Sequence, residues 1–127
     1  GGKSTPAAGF AMGVERLLSL METTQPDLND DLDVFMLIQG DKAQAQGLII
    51  AEQLRTECDE IKILVNCGAG SFKSQMKKAD KSGARLALIL GDDEVDKQSV
   101  TIKFLRSEDG QKLIRQDELS SVLRELL

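Results

Sequence analysis

The chain contains no histidine, no tryptophan and no tyrosine. Without histidine it cannot assemble Ser-His-Asp or Cys-His catalysis, and it lacks the commonest zinc ligand. Without tryptophan or tyrosine, any stacking on a nucleic-acid base falls to its four phenylalanines or to arginine. Cys58 and Cys67 are the only cysteines, and their separation does not fit a CxxC site. Both are expected to be reduced and buried, as in a cytoplasmic protein. No apolar run approaches the ~20 residues of a membrane span, and the opening residues do not read as a secretory signal. No membrane partner and no metal are expected.

The 127 residues suffice for one domain plus a short extra piece, and 41% hydrophobic with 29% charged composition implies a packed core. A net charge of −5 argues against a nonspecific nucleic-acid binder, and no DNA partner is expected. The charge is uneven, however. Lys73, Lys77, Lys78, Lys81 and Arg85 crowd one segment against a single acid, Asp80, and Asp92-Asp93-Glu94 and Asp96 follow.

Residues 8–12 are short and small enough for a strand. From Gly13, Val14, Leu17, Leu18 and Met21 fall at helical spacing, and this helix should fade near Thr23. Residues 24–33, polar and containing Pro26, read as a linker between a first piece, 1–23, and a domain over 34–127. Val34 to Ile38 is a continuous apolar run that suits a strand covered on both faces. A helix over 42–57 should bury Ala43, Gly47, Ile50, Ala51, Leu54 and Cys58. Strand 61–66 follows, then the small loop Cys67-Gly68-Ala69-Gly70. Ser71 should cap a helix over 72–82 with Phe72, Met76 and Ala79 inward, ended by Gly83. Strand 85–90, an acidic turn, strand 99–105 with Val100, Ile102 and Phe104 on one face, and a hairpin into 111–116 complete the sheet. Asp117 should cap a last helix burying Leu119, Val122, Leu123 and Leu126. Alternating strands and helices imply an α/β fold: a small doubly wound, mixed but mainly parallel sheet with helices on both faces, preceded by a strand-helix remnant.

Several segments could carry function. Lys73, Lys77 and Lys81 recur every four residues and form one stripe, flanked by Lys78 and Arg85. The stripe can track an RNA backbone or be a solvated lysine face. The helix start at Gly70-Ser71 suits a phosphate. Phe72 can stack on an unpaired base or join Met76 in the core, and helical spacing favours the core. Gln39, Gln44, Asn66 and Gln75 lie near strand ends, where ligands gather in open α/β sheets. Their amides can read base edges or be ordinary polar surface. Asp80 can pair with Lys77 or Arg85, or orient a neighbour. The acidic segment 92–96 lacks the spacing of a calcium loop and reads as a solvated turn that repels nucleic acid. Gly1-Gly2-Lys3-Ser4-Thr5 imitates the tail of a phosphate-binding loop. No strand and no first glycine precede it, and Pro6 removes an N–H from the turn.

The run Gly9-Phe10-Ala11-Met12-Gly13-Val14-Glu15-Arg16 resembles motif 3 of the class II aminoacyl-tRNA synthetases. Thr5-Pro6-Ala7-Ala8 before it, and Leu17 after it, make it similar to the histidyl-tRNA synthetases in particular. Asn66 to Arg85, followed by Leu90-Gly91-Asp92-Asp93-Glu94-Val95, resembles the anticodon-binding domain of the bacterial members. The resemblance implies that Arg16, with Gly13 and Glu15, belongs to an ATP site, whose arginine contacts the phosphates. Guanidinium suits that task through its forked donors and permanent charge. It also implies that Gln39, Asn66, Gly70, Ser71, Phe72, Lys73, Gln75 and Lys77 face the anticodon loop of the histidine tRNA. Motif 3 ends a catalytic domain in this family, so the chain is expected to be the C-terminal piece of a longer enzyme. That enzyme would be a homodimer attaching histidine to tRNA with ATP and magnesium. The piece alone should be inactive and bind no cofactor. Two rivals remain: a synthetase-like regulatory module without aminoacylation, and a flavodoxin-like domain with a nucleotide cofactor at the strand ends. The absence of tyrosine and tryptophan argues against a flavin sandwich.

Overall fold

A computed structural model describes residues 1–24, 31–68 and 70–127. The chain forms two compact units, Gly1–Asp30 and Asp31–Leu127. The expected linker falls mostly on residues 25–30, and Ala69 sits in the small loop; these lie outside the described residues.

In the first unit, helix α1 (Val14–Thr24) forms where the apolar spacing places it. Its apolar residues Val14, Leu17, Leu18 and Met21 are exposed. Residues 8–12 form no strand. An isolated strand has no neighbour to take its N–H and C=O groups, so extended propensity alone does not hold it. Lys3 likewise precedes no strand-to-helix turn of the phosphate-loop kind, since residues 1–13 carry no regular structure.

The second unit is a five-stranded α/β sheet in the order β2-β1-β3-β4-β5. Strand β1 (Val34–Gln39) lies between β2 (Ile63–Val65) and β3 (Leu86–Gly91), parallel to both. Strands β4 (Ser99–Phe104) and β5 (Gln111–Arg115) extend the sheet antiparallel, joined through Gly110 at φ +74°. Two neighbours explain why β1 is apolar without interruption. Its side chains alternate between two cores: Val34 and Met36 enter one, Phe35 and Leu37 the other.

Helix α2 (Asp41–Glu57) and helix α5 (Leu119–Leu126) cover the first core. Ala43, Ile50, Ala51, Leu54, Cys58, Leu119 and Leu123 are buried there against Leu88, Val100 and Ile102. Gly47 lets α2 approach the sheet closely, because a Cβ there would meet Ile38 Cδ1 at 2.5 Å. Helix α3 (Phe72–Lys81) covers the second, smaller core, where Ala79, Ala84 and Ala87 permit tight packing. Gly83 follows the helix at φ +82°, the left-handed turn that a glycine adopts without strain.

Five local expectations are corrected. The acidic segment is not a solvated turn but a one-turn helix, α4 (Asp92–Asp96). Glu94 Oε2 accepts the Gly91 N–H at 2.9 Å, and Asp92 Oδ1 accepts the Ala43 N–H at 3.0 Å across the fold. Strand β2 has three residues rather than six. Asp117 caps nothing. A 3-10 turn, Gln116–Glu118, precedes α5 and directs the Asp117 carboxylate to Arg115 Nε at 3.0 Å. Cys67 is exposed, while Cys58 is buried with its thiol directed at the Ser120 carbonyl; both are free. Phe72 does not enter the core. It is 45% exposed at the first residue of α3, while Met76 packs partly against the second core.

Candidate nucleic-acid interface

The carboxyl ends of β1, β2 and β3 gather Gln39, Asn66 and Gly91 on one rim of the sheet. Besides the one-turn α4 after β3, two longer helices begin at this rim, α2 after β1 and α3 after the loop that follows β2. A helix start offers unpaired N–H groups and a partial positive charge, so each is a place for an anion. The two starts differ. At α2, the Asp92 carboxylate already occupies that place, and Lys42 is tied to Asp96 at 2.9 Å. The hydrogen bond and the charge of Asp96 hold the Lys42 ammonium above its ordinary pKa.

At α3, among the described residues, no carboxylate caps the helix start. Ser71 is extended (φ −62°, ψ 153°), and its Oγ accepts the Ser74 N–H at 3.3 Å. The preceding N–H groups, of Phe72 and Lys73, are not capped by a side chain and belong to an exposed turn. Lys73 and Lys77 stand one turn apart on the same exposed face, and among the described residues neither has an ion-pair partner. Gly70, Ser71, Phe72, Lys73 and Lys77 therefore share one accessible surface: backbone donors, two ammonium groups and an aromatic ring. Gln39 is exposed at the end of β1.

Two of the expected amides are placed differently. Gln75 is 2% exposed. Its Oε1 accepts the Ile38 N–H at 3.0 Å, and its Nε2 donates to the carbonyls of Ile38 at 2.8 Å and Gly70 at 3.1 Å. Both of its N–H donors are used within the fold, and the side chain lies beneath the surface at the start of α3. Asn66 is also nearly covered. Its Nδ2 donates to Gly68 O at 3.2 Å, and its Oδ1 accepts from Lys78 Nζ at 3.3 Å. One Asn66 N–H remains unspent. Lys78 thus belongs to the site through Asn66, a link that its place beside the lysine stripe only half suggests.

Arg85 does not extend the basic stripe. Its guanidinium donates to the carbonyls of Leu127 at 2.9 Å and Leu126, at the end of α5, where a cation is favoured. Asp80 pairs with neither Lys77 nor Arg85; its carbonyl accepts from Arg106 at 2.7 Å. Between α2 and the loop after β2 lies a cleft of ≈ 220 Å³, lined by the apolar side chains of Ile38, Leu48 and Val65 together with Gln44, Asn66 and the exposed Cys67.

In the first unit, Gly13, Glu15 and Arg16 are all exposed at the start of α1, and the Gly13 carbonyl accepts the Leu17 N–H at 3.1 Å. Among the described residues no three acidic or thiol side chains converge to hold a metal ion, and no helix is long and apolar enough to cross a membrane.

The sequence matches the model of the family described as "Anticodon binding domain" over residues 33–126. It is 48% identical to a histidine–tRNA ligase of Hydrogenovibrio crunogenus across all of this chain, which spans 30% of that relative's length. Among solved structures, apo histidyl-tRNA synthetase of S. aureus superposes with a TM-score of 0.66 at 28% identity, over 87% of this chain and 32% of that one. The histidyl-tRNA synthetase of Nostoc sp. PCC 7120 superposes with a TM-score of 0.67 at 26% identity, over 91% and 28%.

Proposed function

The chain belongs to the anticodon-binding domain family, and from that membership we propose that residues 34–127 hold the anticodon loop of the histidine tRNA for a histidine–tRNA ligase. The observation that carries this reading is the open amino end of α3 beside free Lys73 and Lys77, on the rim where ligands gather in open α/β sheets. The likeness to histidine–tRNA ligases supports the choice of tRNA. Phosphates of the loop would sit at Gly70 and Ser71 and against the two lysines. Phe72 would stack on an unpaired base, as recognition of single-stranded loops requires. Gln39 and the remaining Asn66 N–H are left to read base edges.

In this reading residues 1–23 are motif 3 of the catalytic domain, and Arg16, with Gly13 and Glu15, serves its ATP site. The whole enzyme would attach histidine to tRNA through an adenylate, as a cytoplasmic homodimer using ATP and magnesium. The described residues fit ATP only in part: one exposed guanidinium, Arg16, beside exposed backbone at Gly9 and Gly13, with no metal-holding carboxylate group. This chain would therefore contribute recognition alone. A regulatory module without aminoacylation would use the same surface, and the intact Gly13-Val14-Glu15-Arg16 favours the ligase.

The test is binding of the chain to anticodon stem-loops bearing GUG or scrambled triplets, at two salt concentrations. The expected outcome is a preference for GUG of ~10-fold or more that persists as salt rises, since base contacts discriminate where phosphate contacts do not. Equal binding that collapses with salt would reduce the surface to a generic phosphate binder.

A further inference from the structure

The sheet has two outer edges, and they are finished differently. Strand β2 has only three residues, and Arg55 Nη2 donates to its Ile63 carbonyl at 3.2 Å, so little of that edge is left to pair. Strand β5 has five residues, and among the described residues no strand lies beyond it. Phe104 N donates to Gly110 O at 3.1 Å and Gln116 N to Gln98 O at 2.9 Å, which sets the ladder between β4 and β5. Bonded residues alternate in an antiparallel pair, so Lys112 and Ile114 spend their backbone groups on β4. Gln111, Leu113 and Arg115 therefore turn their N–H and C=O groups outward. Charged side chains on an edge ordinarily repel a further strand. Here both are drawn back into their own chain: Lys112 Nζ lies 5.4 Å from the Phe104 ring centroid, and Arg115 Nε donates to Asp117 Oδ1 at 3.0 Å. Leu113, between them, is 62% exposed.

We propose that β5 pairs antiparallel with β5 of a second copy of this chain, across a two-fold axis at Leu113, so that two five-stranded sheets become one. The outward groups set the register. With Leu113 opposite its own copy, Gln111 lies opposite Arg115 of the second copy, and each such pair exchanges both of its backbone hydrogen bonds. No like charges stand directly opposite, since Lys112 faces Ile114 of the second copy. A slide of the ladder one way would set Lys112 against Lys112, which repulsion disfavours, and a slide the other way carries Gln111 past the end of the opposing strand. The paired strip is narrow, well below the ~1,200 Å² of stable complexes, so the association is weak and reversible. The two-fold reverses the second copy, so the carboxyl-end rims lie at opposite ends of the joined sheet and the pairing is independent of RNA binding.

The test is sedimentation equilibrium of the full chain from ~10 µM to ~1 mM, a range that reaches weak association. The average mass should rise toward that of a dimer. Leu113→Lys, which sets two ammonium groups together at the axis, should hold the chain monomeric throughout. Leu113→Pro should do the same by deleting an outward N–H that the ladder to β4 does not use, and hydrogen-exchange protection of the Lys112 and Ile114 amides should persist in both variants. In a Cys67→Ser background, Leu113→Cys should oxidise to a disulfide-linked dimer and Gln111→Cys should not, because opposed Cα atoms stand ~5.5 Å apart only at the axis. A chain that stays monomeric at the highest concentration overturns the proposal. A dimer that survives Leu113→Lys overturns the assignment to β5, and its loss with Leu17→Glu would place it on the exposed face of α1 instead. Equal cross-linking at positions 111 and 113 overturns the register.

Discussion

Asp92 Oδ1 accepts the Ala43 N–H at 3.0 Å, so a carboxylate from the far end of β3 closes the amino end of α2. Asp92→Ala should therefore behave as loss of a helix cap, lowering stability by ~1 kcal/mol and the midpoint of thermal unfolding by ~4–8 °C. RNA affinity should change little, because Asp92 is spent on the Ala43 N–H and is not among the residues proposed to touch the ligand. An unchanged melting curve would mean that the contact contributes nothing.

Gly40 shares this corner. Its φ is +112°, and a Cβ would stand 2.3 Å from Asp92 Oδ1. Gly40→Ala should cost more than ~1 kcal/mol through backbone strain and the clash together. Because the clash is with Asp92, the penalty should be smaller in an Asp92→Ala background. Denaturant unfolding of the four variants in a double-mutant cycle measures that coupling, and strict additivity would deny it.

Lys73→Ala and Lys77→Ala should each reduce the slope of log affinity against log salt by ~0.7, the value for one phosphate contact on single-stranded nucleic acid. Both residues are exposed, so thermal stability should stay within ~0.5 kcal/mol. A weaker affinity with the same slope would assign these lysines to something other than phosphates.

Phe72 separates stacking from packing. At 45% exposure, Phe72→Ala should cost little stability but weaken RNA binding by ~10-fold, the lower range for loss of one base stack. Were it a core residue, the ranking of the two effects would invert.

Glu57 supplies a pH dependence. Its carboxylate accepts from Ser120 and from Gln53, which hold its pKa below the ordinary 4.5. The folded chain thus binds this proton less readily than the unfolded chain. The stabilisation is complete above the ordinary value and is lost as pH falls through the folded one. The difference in melting temperature between the unsubstituted chain and Glu57→Gln should shrink as pH is lowered from about 6 to about 3. A difference that stays constant across this range would exclude the titration of Glu57 as its cause.

Much of this architecture is written in apolar spacing. Val34 to Ile38 declares a strand covered on both faces, and the buried stripe Ala43, Gly47, Ile50, Ala51 and Leu54 is α2 as its periodicity requires. Ser71 and Gly83 mark the ends of α3 through rules that need only neighbours in sequence. Polar side chains are less legible, because their partners are chosen by tertiary placement. Asp92 reads as solvated until β3 delivers it to α2, and Arg85 reads as part of a basic stripe until α5 ends beside it. Gln75 left one trace. It stands four residues before buried Ala79 and so on the inward face of α3, where a polar residue demands a buried partner. Phe72 misleads in the opposite direction, since periodicity assigns a face but not how much cover the first residue of a helix finds there.

The position of β1 at the centre of the sheet has a consequence for synthesis. Val34 pairs with Ile63 on one side and with Leu86 on the other, fifty-two residues later in the chain. At translation rates of ~5–20 residues per second, the most apolar strand emerges seconds before its second neighbour exists. During that interval Val-Phe-Met-Leu-Ile presents an unpaired edge and two greasy faces, the signature of a segment prone to self-association. This segment is therefore where the nascent chain most needs shielding, and a charge at Phe35 or Leu37 would relieve that hazard only by placing an unpaired charge in the buried second core.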